Sequence, residues 1–302
     1  MYKIGLQTNL SVAKDRSLGS VLALILVLGV TLLAPSTTRA EELRLGIFQD
    51  HYAEVRTYFD THGCKPLGPE DNQTNQILTE FLLLCKALSD ADSPYQITLV
   101  PYPINARLLK DISLGTLDAS AYAIWSKEPA LYPNTALSPA LLEKGEFSKG
   151  LYTRPALASK FEYQSKASFR GLTGVANQNW HYDWRHMHCA GIYTTHINQY
   201  QQMFALIEQG KVDLVPLTFG QETDLQRRVF GISLYPLPGI KLAFDDSLHF
   251  VFSSQTISGK AAHRLVENEL VRMKRNGEID AAYTQLGILN PSTTHWQDVG
   301  CQ

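Results

Sequence analysis

A short pattern occurs twice in this sequence, and the two copies start 95 positions apart. The first spans residues 112–119 (ISLGTLDA) and the second spans residues 207–214 (IEQGKVDL). In each, the end of an amphipathic segment is followed by a glycine, one further residue, an aliphatic residue and an aspartate. Such a glycine is typical of the left-handed residue that ends a helix, and the apolar run after the aspartate is typical of a buried strand. The repetition predicts one helix-to-strand connection in each half of the chain, and hence two α/β halves with a cleft between them.

The first 40 residues differ in composition from the rest. Lys3, Lys14 and Arg16 precede an uncharged stretch at residues 17–38, and small residues follow up to Ala40. This order is typical of a secretory signal peptide, so we predict that residues 1–40 are cleaved off and that the mature protein is periplasmic. The alternative is an uncleaved membrane anchor, which needs about 17–25 apolar residues. The apolar segment here is near the lower end of that range.

The remaining 262 residues are enough for one large core or two modest ones. The chain has 27 basic and 29 acidic side chains, of which four and one lie in the leader, so the mature part carries a formal charge of −5. A mildly acidic protein without a basic run is a poor candidate for binding nucleic acid or anionic lipid. We therefore predict no nucleic-acid partner.

All four cysteines lie in the predicted mature part. An even number of cysteines in an exported chain favours disulfides over free thiols, and four cysteines allow three pairings. We predict a bond between Cys64 and Cys85, because they flank a single loop-helix unit. Cys189 and Cys301 would then join the C-terminal tail to the second half.

Hydrophobic periodicity predicts strands that alternate with helices. Strands are predicted at residues 43–48, 97–100, 118–125, 147–153, 171–176, 212–217 and 248–253. Helices are predicted at residues 75–88, 106–114, 180–189, 199–209, 260–275 and 279–286. Residues 61–74 are predicted to be a loop, and residues 126–146 a surface excursion. The alternation favours a parallel sheet covered by helices.

In the order and spacing of several short landmarks, the chain resembles the bacterial extracytoplasmic solute-binding proteins of the amino-acid type. The landmarks cover nearly all of the mature chain and lie at residues 45–47, 112–118, 145–152, 169–175, 210–213 and 273–278. The resemblance implies a type II periplasmic-binding fold, in which two crossover hinge strands join two α/β lobes. The first lobe would comprise residues 41–152 and 251–302, and the second lobe residues 153–250.

The resemblance also implies that a ligand binds between the lobes. Parallel α/β sheets present their ligands to the carboxyl ends of their strands. The side chains that we predict to contact a ligand follow such strand ends: Gln49, Asp50, Tyr52, Tyr122, Trp125, Ser126, Lys127, Gln178, Trp180, Thr218 and Phe219. Aromatic walls combined with amide, hydroxyl and charged groups suit a small polar organic molecule.

Two positions depart from the amino-acid-binding pattern. Amino-acid binders place an arginine after the third strand to hold the ligand carboxylate, but the stretch here is WSKEP, residues 125–129. Lys127 could hold a carboxylate only as a point charge and not as a planar fork. In the second lobe the binders place an aspartate where this chain has Thr218. The departures leave the identity of the ligand open.

We interpret the other clusters of polar residues as structural rather than as metal-binding or catalytic sites. The histidines of residues 181–188 lack the spacing of a closed zinc site, so no metal or cofactor is predicted. Asp118 and Asp213 occupy equivalent places in the two halves, which favours hydrogen bonding at a helix end over acid-base catalysis. Asp245 and Asp246 are predicted to lie in a solvated turn.

The sequence thus predicts a non-enzymatic, monomeric receptor that captures a small polar solute for transport or sensing, with a membrane permease or a sensor as its partner. Two alternatives remain open. One is a dehydratase-like enzyme on the same scaffold, with Asp50 or His51 as general base. The other is a sensory or partner-binding module that never meets a transporter.

Overall fold

The computed structural model describes residues 41–68, 75–91 and 95–301, so the predicted signal peptide lies outside the described residues. The strands are β1 Glu41–Phe48, β2 Tyr95–Tyr102, β3 Ala119–Ser120, β4 Ile124–Trp125, β5 Thr135–Leu137, β6 Ser148–Thr153, β7 Thr173–Ala176, β8 Tyr193–His196, β9 Val215–Leu217, β10 Arg227–Val229, β11 Ile232–Pro236, β12 Ile240–Ala243, β13 Leu248–His249, β14 Val251–Ser253 and β15 Gln297–Asp298. The helices are α1 Gln49–His62, α2 Gln76–Asp90, α3 Asn105–Leu114, α4 Pro155–Ala158, α5 His181–Cys189, α6 Tyr200–Glu208, α7 Ile257–Arg275 and α8 Glu278–Gln285.

A mixed sheet with the strand order β2-β1-β3-β14-β5 forms the centre of the first lobe. β1 pairs in parallel with β2 and β3, whereas β14 runs antiparallel to β3 and β5. The alternating Leu43, Leu45 and Ile47 of β1 are fully buried. The predicted parallel arrangement is therefore confirmed for β2, β1 and β3 and wrong for β14, which enters the sheet from the opposite end and is antiparallel to both of its neighbours.

Helix α2 lies at the core of the first lobe, in contact with α1 and α7. Phe81, Leu84 and Leu88 are buried, as is the polar Glu80. A helix that is apolar on nearly every side is stable only when other elements cover it. The side chain of Asn75 caps its first turn by accepting a hydrogen bond of 3.2 Å from the backbone N–H of Leu78. Together α2, α7 and the first sheet form one packed lobe.

The repeated sequence pattern has the same structural role in both halves. Gly115 and Gly210 have φ values of 75° and 68°, which a residue with a side chain adopts only with strain. The carboxylate of Asp118 then accepts a hydrogen bond of 2.8 Å from the backbone N–H of Arg44 at the neighbouring strand. Asp213 accepts the equivalent bond of 2.9 Å from Thr173. The prediction that these aspartates are structural is confirmed.

The second lobe is built around β7, β8 and β9. β7 and β8 are parallel, and a bridge between Gly174 and Leu214 connects β7 to the segment that leads into β9. Helix α6 buries Met203, Phe204 and Ile207, which belong to the same apolar cluster as residues of β7 and β9. The second half therefore repeats the helix-on-sheet construction of the first.

Two antiparallel segments, which we call the crossing segments, join the lobes. They are β6 and the run from β11 to β12, and Leu242 pairs with Lys149 across them. The C-terminal strand β15 pairs in parallel with β12, so the end of the described chain lies beside the crossing segments. The two crossover hinge strands that the sequence predicts are confirmed.

Both predicted disulfides are confirmed. Cys64 is bonded to Cys85, and Cys189 is bonded to Cys301. The first bond joins the end of α1 to α2 within one lobe. The second joins α5 of the second lobe to the C-terminal tail, which makes it a long-range connection of 112 positions.

Several local elements differ from the sequence predictions. Helix α1 was not predicted, because Val55 is its one buried residue and charged and polar residues interrupt its other apolar side chains. The strand predicted at 118–125 is two short strands, β3 and β4, separated by a buried bend at residues 121–123. The excursion at 126–146 contains β5, which pairs with β14 at the edge of the first sheet. Within the described residues, every helix is too short or too polar to span a bilayer.

Candidate functional site

The first lobe presents an aromatic and amide-rich surface where β1 and β3 end. The Phe48 ring, at the end of β1, stacks on Tyr122 with centroids 4.9 Å apart. The hydroxyl of Tyr122 donates a hydrogen bond of 2.5 Å to Asn105 Oδ1, and the Asn105 amide donates one of 2.9 Å to Glu128 Oε2. This chain of hydrogen bonds fixes the Glu128 carboxylate relative to the strand ends.

The Glu128 carboxylate, beside these strand ends, has one oxygen that is free to accept a hydrogen bond. Its second oxygen, Oε1, has no hydrogen-bond partner among the described residues and is not sealed from solvent. Burial raises the pKa of Glu128, and the Asn105 amide and the nearby His181 oppose that rise. Since His181 begins α5 of the second lobe, the Glu128 carboxylate lies where the two lobes approach each other.

The lobes contact each other directly through four rings that we call the aromatic cluster: Trp125, Phe147, Tyr182 and Phe244. Trp125 of the first lobe lies 4.3 Å from Tyr182 of α5, measured between ring centroids. Phe147 and Phe244 come from the ends of the crossing segments and stack at 5.0 Å. Trp125 is thus covered by the protein's own rings, and in this conformation the centre of the seam between the lobes is filled.

Beside these rings, one carboxylate accepts hydrogen bonds from residues of both lobes. Asp246, which follows β12, accepts hydrogen bonds from the hydroxyls of Ser126 and Tyr182 and from the backbone N–H of Lys127. Burial acts to raise the pKa of Asp246, but these donors outweigh it and the pKa is lowered. The prediction of a solvated turn is wrong for Asp246, because its side chain is buried against both lobes.

The neighbouring Asp245 is bound by two cationic side chains, Lys127 and Arg185, and by Nε2 of the His186 ring. The ammonium of Lys127 lies 3.3 Å from its carboxylate. Since Lys127 comes from the first lobe and Arg185 from the second, Asp245 bridges the lobes as Asp246 does. Lys127, the predicted point charge for a ligand carboxylate, is therefore engaged by the protein itself in this conformation.

A buried ion pair lies behind the aromatic cluster. The Lys149 ammonium, on β6, is 2.7 Å and 2.9 Å from the two oxygens of Asp183 on α5. It also lies 5.8 Å from the centroid of Phe244 and 6.0 Å from that of Trp180, within the range of cation–π attraction. The pair attaches α5 to the first crossing segment.

Helix α5 buries one histidine rather than presenting a metal site. His186 is fully buried, and its Nδ1 accepts a hydrogen bond of 3.2 Å from the backbone N–H of Cys301. The acceptor role of Nδ1 requires the neutral ring with its proton on Nε2, and burial correspondingly lowers the pKa of His186. Among the described His, Cys, Asp and Glu residues, no group of three or more could hold a metal ion.

The structure brings some of the predicted ligand residues together and leaves others apart. Tyr122, Trp125, Ser126 and Lys127 lie along the seam, as does Trp180 beside Lys149. Gln49, Asp50 and Gln178 are exposed, and Tyr52 packs partly on the core of the first lobe. Thr218 is half-buried at the end of β9.

Phe219 lies away from the aromatic cluster. Its ring is fully buried, 5.5 Å from Trp296, and its backbone N–H donates to Gly287 of the C-terminal segment. In this conformation the Phe219 ring has no surface for a ligand. The residues proposed as a general base are also separate from the seam cluster: Asp50 is exposed, and His51 contacts the side chain of Asn75 at 3.1 Å.

The sequence predictions missed several seam residues: Asn105, Glu128, Tyr182, Lys149, Asp183, Asp245 and Asp246. Asn105 and Glu128 could have been found by the same strand-end reasoning, since Asn105 follows the end of β2 and Glu128 follows the end of β4. The pairing of Lys149 with Asp183 has no local signal, because 34 positions separate the two residues.

One cavity of about 400 Å³ lies elsewhere, between α1, α2 and β2 beside the Cys64–Cys85 bond. It is lined by residues such as Arg56, Tyr95 and Leu99, and none of the predicted ligand residues reaches it. The seam is the better candidate site, because side chains of both lobes and of the crossing segments meet there.

We expect Tyr182→Phe to lower the free energy of unfolding by about 1–2 kcal/mol. The substitution keeps the ring on Trp125 but leaves Asp246 without one of its donors. Urea denaturation of residues 41–302 measures the loss. Tyr193→Phe is the matched control, because Tyr193 is 75% exposed and should change stability by less than about 0.5 kcal/mol. Equal losses of stability in the two variants would show that the hydrogen bond from Tyr182 to Asp246 does not stabilise the folded protein.

Comparison with known proteins addresses the fold. No model of a protein family matches the chain, and neither does any curated protein sequence. Solved structures do match. One is ytmK of Bacillus subtilis, described as a probable amino-acid ABC transporter extracellular-binding protein, with a TM-score of 0.54, 12% identity, and coverage of 82% of this chain and 99% of that one.

A second match is AncCDT-1, an ancestral cationic amino acid solute binding protein. Its TM-score is 0.52 at 13% identity, and the alignment covers 82% of this chain and 96% of that one. At these identities the likeness concerns the backbone and carries no information about the ligand. The predicted type II fold is confirmed: the described residues have the two-lobed α/β fold of the amino-acid-type extracytoplasmic solute-binding proteins.

Proposed function

We propose that this protein is a non-enzymatic extracytoplasmic receptor that captures a small polar organic solute between its two lobes, for transport or for sensing. The observation that carries the proposal is the meeting of strand ends from both lobes at the seam, where Trp125 faces Tyr182 and Glu128 approaches His181. A ligand that contacts both lobes stabilises the arrangement in which they are close.

Glu128 is the residue that we propose to contact the ligand directly. The rest of the charged seam is paired internally: Lys149 with Asp183, and Lys127 and Arg185 with Asp245. The free Oε1 of Glu128 can accept a hydrogen bond without breaking any of these pairs. The exposed Gln49 and Gln178, which follow β1 and β7, would supply amide groups from either side.

The centre of the seam is occupied by the aromatic cluster, so the ligand would bind at the edge of the cluster or separate Trp125 from Tyr182. In either binding mode the two lobes would move relative to each other about the crossing segments, while each lobe keeps its internal structure. We further propose that a membrane permease or a sensor receives the loaded form, and that the protein acts as a monomer.

The test is a ligand screen on residues 41–302 by thermal shift, followed by calorimetry. Amino acids, small carboxylates, amines and short peptides form the library. We expect at least one class to raise the melting temperature, and Glu128→Gln to weaken its binding by about tenfold or more, which is the loss of about 1.4 kcal/mol. The matched control is Glu267→Gln on the exposed side of α7, which should bind like the unmodified protein.

A folded protein that binds nothing across this library would overturn the proposal. Binding that is equally strong in Glu128→Gln would keep the receptor but move the site away from Glu128. Turnover of a bound compound would replace the receptor with an enzyme.

A further inference from the structure

Glu80 is a fully buried carboxylate whose role the fold alone does not explain. It lies in the middle of α2, and three donors converge on it. The side-chain amide of Gln76 donates to Oε1 over 2.8 Å, and the hydroxyl of Tyr283 donates to the same oxygen over 2.9 Å. The backbone N–H of Ala123 donates to Oε2 over 3.0 Å. A buried acid to which three groups donate in the described structure is arranged for its ionised form.

The three donors come from distant parts of the chain. Gln76 lies on the same helix, Tyr283 on α8, and Ala123 in the bend between β3 and β4. That bend carries Tyr122 and leads directly into β4, which carries Trp125. The side chains of Tyr122 and Trp125 form the first-lobe side of the seam. The Ala123 N–H bond is thus the connection between a buried carboxylate and the residues that face the second lobe.

Protonation of Glu80 changes which hydrogen bonds its carboxyl group can make. The neutral acid brings an O–H donor that needs an acceptor, whereas all three groups now donate toward the carboxylate. The Ala123 N–H can only donate, but the Gln76 amide can turn its oxygen toward the acid. The Tyr283 hydroxyl can rotate and accept. Proton uptake therefore rearranges at least one of the three bonds. Burial raises the pKa of Glu80 to about 7, so the change falls within the range that an exported protein meets.

In the described part of the chain, no cationic side chain compensates the charge of Glu80. The groups that sense its charge are the phenols of Tyr122 and Tyr283, and burial raises the pKa of both. Within the described residues, no Lys, Arg or His contributes to the pKa of Glu80. Its titration is consequently governed by burial and by the three donors alone.

We propose that Glu80 is the positioning residue of the ligand-facing bend: its carboxylate holds Ala123, and its protonation alters the placement of Tyr122 and Trp125, so that ligand affinity depends on external pH. The link to ligand affinity rests on the proposed function above. The link from Glu80 to the bend does not, and it can be measured without a ligand.

The experiment follows the bend by NMR in residues 41–302 labelled with ¹⁵N-alanine and ¹⁵N-tryptophan, between pH 5 and pH 9. The Ala123 amide is assigned with Ala123→Gly, and the Trp125 indole with Trp125→Phe. We expect both signals to titrate with one shared midpoint near 7. A flat Ala123 signal would overturn the proposal. So would an Ala123 titration that the Trp125 indole does not share, because the seam would then be uncoupled from Glu80.

Two variants test the assignment to Glu80. Glu80→Gln resembles the protonated acid in shape and in having a donor, so its Ala123 signal should stay near the acidic limit of the unmodified protein at every pH. Tyr283→Phe removes a donor to the carboxylate and should raise the midpoint by about one unit. A persistent titration in Glu80→Gln, or an unchanged midpoint in Tyr283→Phe, would assign the effect to another group.

Equilibrium unfolding is a second readout that does not depend on NMR assignment. The folded-state pKa of Glu80 is above its value of 4.5 in the unfolded chain. The stability that this shift contributes is therefore present at low pH and is lost as pH rises through about 7. We expect unmodified protein to lose stability relative to Glu80→Gln between pH 5 and pH 8. Parallel profiles would contradict the burial-driven titration on which the proposal rests.

Discussion

Replacing Cys189 and Cys301 by serine is expected to lower the free energy of unfolding by about 4–5 kcal/mol. The bond closes a loop of 112 positions, and the stabilisation from restricting the unfolded chain grows with loop length. The loss also removes the tether that keeps the backbone of Cys301 against His186. Chemical denaturation of residues 41–302 gives the magnitude.

The matched variant is the serine pair at Cys64 and Cys85. That bond closes a loop of 21 positions, so the expected loss is smaller, about 3 kcal/mol. The larger loss for the long-range bond is the discriminating result. If the short-range pair proved the more costly to remove, local strain rather than chain entropy would control the contribution of these bonds.

Replacing Lys149 by methionine is expected to cost about 3 kcal/mol of stability. Methionine keeps most of the apolar stem but leaves Asp183, whose side chain is 8% exposed, without its counter-ion. Breaking a buried pair typically costs about 3–5 kcal/mol, and the 17% exposure of Lys149 favours the lower end of that range. Urea denaturation at pH 7 is the measurement, with the exposed Lys211→Met as the control.

A double variant separates the pair from its surroundings. Lys149→Met combined with Asp183→Leu removes both charges, and we expect its stability to be within about 1 kcal/mol of the unmodified protein. Near-additive losses from the two single changes would mean that Lys149 and Asp183 act independently. The aromatic rings around Lys149 would then supply most of its stabilisation.

Much of the fold could be predicted because its signals are local. The helices at α2, α3, α6 and α7 bury stripes of apolar residues, and Gly115 and Gly210 end two of them in the left-handed conformation. The repeated aspartate pattern predicted the same connection in both lobes, and both occurrences make equivalent backbone bonds. The disulfides could be predicted from cysteine count and spacing.

The elements that were missed lack such signals. Helix α1 is mostly polar, so its periodicity is weak, although it covers part of α2. The sequence pattern of β3 and β4 is that of one strand. The bend between them includes Ala123, whose backbone N–H donates to Glu80, a residue 43 positions away that no local pattern connects to it. The antiparallel placement of β14 follows from the path of the chain through the second lobe.

In the candidate site, too, residues with a local sequence signal were predicted and residues placed by long-range contacts were missed. The carboxyl ends of strands identified Tyr122, Trp125 and Ser126, because that rule depends on order along the chain. The rule could not identify Tyr182 or Asp246 as their partners. These contacts span 57 and 120 positions, and they exist only because the crossing segments bring the lobes together.

The sequence by itself determined the two α/β halves, their shared helix-to-strand connection and the local Cys64–Cys85 bond, since periodicity, glycine stops and the spacing of nearby cysteines are local signals. The Cys189–Cys301 bond followed only as the pairing of the two cysteines that remained. Tertiary structure alone decided that Trp125 packs on Tyr182, that Asp245 and Asp246 join the lobes, and that Glu80 accepts a hydrogen bond from the backbone of Ala123. Burial is the physical reason. The charge and hydrogen-bonding state of a side chain depend on which distant groups exclude water from it, and no short stretch of sequence contains that information.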